Sequence, residues 1–434
     1  MLIKAKRLLY IGFILVFTSV NAQNITKSPY SSFGIGELQF GGNAEQYAMG
    51  QVTQGVRFPG LLNNQNPASY SSIRLTTWNA GGIGTIGSIN SSNASGGVST
   101  ATFMSFSAGF NLSKKRNWGL SFGLMPMSGI GYNITRNVVT STFQGSESVS
   151  GNGGLNKFYI GTGFTVLPRL SLGVNAGYAW GQIDKVTLLM IPASYNMFNL
   201  VENRTRFING LSFDIGTQYA DTIVVKDKLG NEKRYQYGVG FTFTPNAAFE
   251  VSDNRNVRSL GIGNTNSGSI GKDTVLNESV ANGVLNMPLI VKGGLFFHRI
   301  DNWGIGVDFG YQSWKDYRQF GISDSLKNTL GFNIGAYYKT NANNVKNYFN
   351  RIEYRAGIRF DNGMISTNNT NVNTIAYAIG FGFPLDRIGS KINVAAEYLN
   401  RGTTTNTLVK EEYFRLVIGV SFNDMGWFRR YKYD

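Results

Sequence analysis

His298 is the only histidine of the chain, and cysteine is absent. A nucleophilic triad needs its imidazole between a nucleophile and an orienting acid. His298 instead sits beside Arg299 at a strand end before a short turn, where a surface or interfacial imidazole is common. Gly82-Ile83-Gly84-Thr85-Ile86-Gly87 matches the dinucleotide fingerprint by letter. It runs into a Ser/Asn-rich stretch and not into a helix whose N-terminus would take a pyrophosphate, so it reads as a glycine-rich strand. Asp221, Asp227 and Glu232 lie near one turn, but their spacing fits no EF-hand loop, and solvated turn charges account for them. These features predict no enzyme, no cofactor and no metal site. The remaining chemistry-bearing set is Glu353, Arg355, Arg359, Asp361, Glu397 and Arg415, at alternate positions on the polar faces of the last strands. Such charges either hold another segment by salt bridges, the preferred reading, or meet a substrate carboxylate.

The elements that must position them follow from period-two hydrophobicity. In Trp303-Gly304-Ile305-Gly306-Val307-Asp308-Phe309-Gly310-Tyr311 every odd residue is large and apolar, and every even one is Gly or Asp. Tyr235 to Phe243, Ile352 to Phe360 and Phe414 to Phe422 alternate in the same way. A soluble sandwich also alternates, but three features point to a membrane barrel. The apolar face carries aromatics at strand ends (Trp303, Tyr311, Tyr235, Tyr178, Trp180), the other face mixes glycine with Arg, Glu and Asp, and turn lengths alternate. Short turns at 113–117, 167–170 and 299–302 contrast with polar stretches at 88–99, 139–153, 252–282 and 363–373. The expectation is an all-β, antiparallel transmembrane barrel of about fourteen strands, near 74–88, 99–113, 117–134, 153–167, 169–185, 205–220, 232–251, 284–298, 302–318, 326–340, 349–361, 372–384, 390–400 and 410–423. Residues 186–200 have room for a short external helix, and 257–270 for a strand extension beyond the membrane.

The first residues set the compartment. Lys4, Lys6 and Arg7 precede an apolar run from Leu8 to Phe17, and Val20-Asn21-Ala22 supplies a small-residue cleavage pattern. This reads as a signal peptide over 1–22, exporting the chain to the outer membrane. Charged residues are only 15%, against about a quarter in soluble domains. The net charge is +15, and removing the three leader cations leaves +12. An exported chain meets no nucleic acid, so lipopolysaccharide head groups or plain loop solvation account for the excess. Residues 23–73 do not alternate. They are long enough to fold back as a plug inside the lumen, where a polar backbone can be satisfied. Barrel strands then occupy 74–423, and 424–434 form a periplasmic tail.

Three stretches carry a resemblance. Asn66-Pro67-Ala68 precedes the first strand, Phe122 to Tyr132 carries Pro126, Gly129 and Gly131, and Met287-Pro288-Leu289 leads through Gly293-Gly294-Leu295-Phe296-Phe297 to Trp303 and Trp314. Together they resemble the long-chain fatty-acid transporter (FadL-type) barrels. Ser28-Pro29-Tyr30-Ser31-Ser32-Phe33-Gly34 and the basic tail Trp427 to Lys432 look like the Bacteroidetes branch of that family, although the chain continues past Phe422 where the family usually ends on an aromatic. The resemblance implies an N-terminal hatch carrying Asn-Pro-Ala in a fourteen-stranded barrel, and lateral exit of a hydrophobic solute at the third strand. Independently of it, Pro126 cannot donate to a ladder, and Gly129 and Gly131 loosen the chain nearby. Both a simple bulge and a gap in the wall satisfy that reading. Passive uptake of hydrophobic, fatty-acid-like small molecules is the favoured function. The alternative is an accessory barrel subunit with protein partners in a larger outer-membrane secretion or assembly complex.

Overall fold

The computed structural model describes residues 26–424 except 114, 227–229, 231, 264–265, 267–270, 341–347, 368, 387 and 407. The signal peptide and the tail beyond residue 424 lie outside the described residues. Fourteen antiparallel strands close on themselves. They are β1 (Thr76–Asn90), β2 (Ser95–Ser113), β3 (Trp118–Val139), β4 (Gln144–Leu167), β5 (Leu170–Met190), β6 (Leu200–Lys226), β7 (Glu232–Thr244, then Ala247–Ser259), β8 (Asp273–Met287, then Ile290–Arg299), β9 (Trp303–Gln312), β10 (Thr329–Lys339), β11 (Glu353–Asp361), β12 (Thr374–Pro384), β13 (Lys391–Arg401) and β14 (Lys410–Asp424). Closure is made by β14 on β1, from Thr76 opposite Asp424 to Asn90 opposite Lys410. With an even number of strands both barrel ends lie on one side, the periplasmic side for this architecture.

Alternation places the apolar set outward. Phe241, Leu295, Ile305, Phe309, Ile334, Ile358, Ile379 and Ile418 are all exposed, while their strand neighbours Thr242, Phe296, Asp308, Ala378 and Val417 are buried. Tyr235 stacks on Phe297 at 5.8 Å between centroids, and Phe297 meets Trp303 at 5.7 Å, a girdle at the periplasmic ends of β7 to β9.

The strands near the outside run further than the apolar alternation does. The polar stretches expected as loops at 88–99 and 139–153 lie mostly in strand, leaving only 91–94 and 140–143 as turns. Beyond the bilayer both faces of a strand meet water, so the ladder continues without an apolar face to announce it. Residues 186–190 belong to β5, and the expected external helix is reduced to a 3-10 turn at Ala193–Tyr195. β7 does extend, to Ser259.

Two interruptions shape the wall. β7 breaks at Pro245-Asn246 and β8 at Pro288-Leu289, side by side, since Thr244 pairs with Ile290 and Ala247 with Met287. Proline offers no N–H for the ladder at either place. The second lies at β3. Its ladder with β2 runs only from Ser113–Trp118 to Phe106–Leu124, although β3 continues beside β4 through Pro126, with a bulge before Ser128. Replacing outward Ile379 by Arg is expected to destabilise the barrel by about 2–4 kcal/mol in phospholipid vesicles. Denaturant unfolding measures this, and an unchanged midpoint would place Ile379 off the lipid face.

Candidate functional site

Residues 26–73 run through the lumen. Ser28 donates to Glu411 and Tyr30 Oη donates to Val409 O at the outer ends of the last strands. At the other end Asn423 Nδ2 donates to Gly60 O beside the barrel's C-terminal strand end. Between these points the segment is almost wholly buried, including the short helix α1 (Ala44–Ala48), whose Asn43 and Gln46 form a reciprocal capping box. It approaches the wall where glycine leaves room. A Cβ at Gly335 or Gly357 would collide with the Met49–Gly50 backbone.

Asn66, Pro67 and Ala68 make a turn of the same kind. Asn66 Oδ1 accepts from Ala68 N and so caps the 3-10 helix Pro67–Ser72. Asn66 Nδ2 donates to Gln54 O and to Thr217 O of β6. Pro67 lies against Gly163, Gly173 and Gly216 of β4, β5 and β6, where any side chain would overlap it. The triplet is therefore a seat on the wall.

The six charges singled out from sequence fall into two networks, and each is completed by a glutamate of the N-terminal segment. In the first, Arg359 bridges Asp361 and Glu397, and Arg415 joins Glu397 (3.3 Å) to Glu37 (2.9 Å). Arg401 then joins Glu37 (3.0 Å) to Glu411 (3.4 Å). In the second, Arg355 pairs with Glu353 and, at 3.1 Å, with Glu45, while Lys339 and Lys391 also reach Glu353. Arg401, Glu411, Lys339 and Lys391 were not singled out from sequence, although they stand on the same polar faces. Asp308 is a further anchor, accepting from Thr53 N (2.6 Å), Gln54 N (3.0 Å) and the Thr53 hydroxyl. Its place among the glycines of β9 was the available signal.

His298 departs from the expectation of a surface or interfacial group. It is buried facing the lumen, with Phe58 edge-on at 5.0 Å and Gln236 Oε1 2.9 Å from Nε2. Parity decides this, because after the Pro288 break the outward positions of β8 are the odd ones, Leu295 and Phe297. Asp221 pairs with Arg169 and Glu232 with Arg234, while Asp227 lies outside the described residues. Gly82 to Gly87 lie within β1.

Gly129 and Gly131 face the segment. Gly129 pairs with Glu37 and Ser128 with Leu38 in a short antiparallel ladder, and Gly131 exchanges hydrogen bonds with Ser31. Gln39 N donates to Met127 O at 3.0 Å. The segment thus occupies part of the β3 edge that β2 leaves open. A cavity of about 420 Å³ adjoins this place. Its lining joins an apolar side (Leu38, Phe40, Met125, Pro126, Met127) to a charged one (Lys157, Asp214, Lys292, Asp308, Arg359).

The BamG family model matches residues 3–434 of this sequence. The chain belongs to the BamG family. Among solved structures, the toluene transporter TodX of Pseudomonas putida superposes with a TM-score of 0.57 at 16% identity, covering 89% of this chain and 99% of that one. The toluene transporter TbuX of Ralstonia pickettii gives 0.55 at 14% identity, covering 89% and 98%. A FadL homologue of Pseudomonas aeruginosa gives 0.58 at 10% identity, covering 88% and 97%. At these identities the likeness concerns the fold, which is that of outer-membrane β-barrel channels. No curated protein matches the chain.

Burial alone would raise the Glu37 carboxyl, but Arg401 and Arg415, with the Thr26 hydroxyl, hold it down at about 2. A carboxylate depressed in the fold stabilises it fully above its unfolded value and loses that contribution as pH falls through the folded one. The segment is therefore expected to resist pepsin at pH 5 and to become cleavable as pH approaches 2. Glu37→Gln should weaken its seating by about 3 kcal/mol, making trypsin cleavage at Arg57 on the order of a hundredfold faster at neutral pH. Equal cleavage rates would remove Glu37 as the anchor.

Proposed function

We propose that this BamG-family barrel admits hydrophobic small molecules through the outer membrane by passive diffusion, with residues 26–73 as a hatch and the β2–β3 break as a sideways exit. The observation that carries this reading is the coincidence of three things at Pro126: the end of the β2–β3 ladder, the edge of the lumen cavity, and Leu38, the exposed member of its two-residue strand. A solute in the cavity meets Met125, Met127, Leu38 and Phe40 on the side toward the break. The structural neighbours, two toluene transporters and a FadL homologue, support the solute class. Movement straight through the lumen would have to break the buried pairs at Glu37 and Glu45, so the lateral route is the less costly one.

A second reading is favoured by a different observation, the family name BamG, which hints at partners in an outer-membrane complex. In it the barrel is an accessory subunit of a secretion or assembly machine. Deleting Met127, which removes the extra residue beside Pro126, together with Pro126→Val, is expected to let β2 and β3 pair further. Uptake of radiolabelled toluene or oleate into proteoliposomes should then fall at least tenfold, with the barrel still folded by its heat-dependent gel mobility. Unchanged uptake would refute exit at this break. Normal uptake in a strain lacking the gene, together with a stoichiometric partner on purification, would overturn the channel reading in favour of the second.

A further inference from the structure

The periplasmic mouth carries a group of cations that the channel reading does not use. Arg74 follows the N-terminal segment and donates to Asn117 Oδ1 at 2.6 Å, beside exposed Lys115 and Arg116 in the β2–β3 turn. Arg57 stands next to Arg74 and reaches inside the wall. Its guanidinium donates to Ser171 Oγ at 2.9 Å and to Gln218 Oε1 at 3.4 Å. Burial, and then the neighbouring charge of Arg74, pull the Arg57 guanidinium down to about 10, as expected of a cation without a counter-charge. Among the described residues none of the four forms an ion pair. Asp221 is taken by Arg169, and the lumen acids Glu37, Glu45, Glu397 and Asp214 by Arg401, Arg415, Arg355, Arg359 and Lys157. The group thus places four cations together at one mouth of the barrel, with no carboxylate among the described residues paired to any of them.

We infer that Arg57, Arg74, Lys115 and Arg116 form a docking surface for an acidic peptide segment presented from the periplasm. Position selects this occupant over an anionic lipid. Arg57 hydrogen-bonds inward-facing Ser171 and Gln218, and Pro59 and Gly60 beside it belong to the segment inside the barrel. A head group confined to the leaflet meets the outside of the wall, whereas a chain rising from the periplasm meets the mouth. Opposite charge across a contact chiefly sets encounter rate and partner choice, and it is screened by salt. The inference deepens the partner reading above, naming the chemistry of one contact.

The test uses full-length protein in neutral detergent and a fluorescein-labelled decaglutamate peptide read by anisotropy. Wild type is expected to bind, and to lose affinity from 50 to 300 mM salt. Arg74→Glu, Lys115→Glu and Arg116→Glu combined should weaken binding at least tenfold. Lys185→Glu, Lys272→Glu and Lys315→Glu, exposed at the outer side, make the same change in net charge and should alter it at most twofold. Equal losses in the two triple variants, or no binding by wild type, would overturn the inference. So would a triple variant that keeps the peptide but loses phosphatidylglycerol vesicles, which would assign the patch to lipid. These outcomes are separate from the partner reading itself, which fails if no protein co-purifies with the wild type.

Discussion

Backbone N–H and C=O groups within a bilayer have no water to turn to, so each must find a partner inside the protein. Here a ladder closed from β14 back to β1 meets that demand for most of the wall. The place where it lapses, above Phe106 and Leu124, decides how the rest is arranged. β3 leans on β4 there, and the strand Glu37–Leu38 of the N-terminal segment supplies part of the missing edge. The segment therefore completes the wall locally as well as filling the space inside it.

Filling a lumen with polar chain raises the problem of burying charge. A lone buried carboxylate is costly, and a paired one is stable only if its remaining lone pairs are also satisfied. Glu37 meets two guanidiniums and the Thr26 hydroxyl, and Glu45 meets Arg355 and Asn393. Asp308 instead accepts backbone and hydroxyl hydrogens from Thr53 and Gln54. Three anchors spread over β9 to β14 tie one segment to one side of the barrel, while Asn66 and Pro67 seat it on the glycines of β4 to β6. The segment is thus held on both sides of the barrel, apart from the break at Pro126.

The same logic separates the two prolines of β7 and β8 from Pro126. Pro245 and Pro288 interrupt neighbouring strands at one level, and both strands resume with the inward parity changed: Thr242 and Lys292 point inward on one side of the break, Phe249 and Leu285 on the other. Pro126 leaves parity to a bulge and costs the wall one neighbour. Phe249, Leu285, Trp314 and Tyr317 gather with Ile35 and Ile365 into an apolar cluster that covers the outer side of the lumen. This cluster could not be foreseen, because its members come from loops and strands with no local pattern in common.

Alternation within the bilayer forces outward apolar and inward polar residues, so the sequence by itself determined the class of fold, the fourteen strands, and the inward placing of Glu353, Arg355, Arg359, Asp361, Glu397 and Arg415. Where alternation has no physical cause it said less: it read 88–99 and 139–153 as loops where the strands run on, and it left the path of the non-alternating N-terminal segment undefined. Which partner each charge finds was decided by the tertiary structure alone. Glu37 lies 364 residues from Arg401 and 378 from Arg415. Only closure of the barrel around the segment brings such groups within hydrogen-bonding reach, and only the register of β2 against β3 settles where the wall stops pairing.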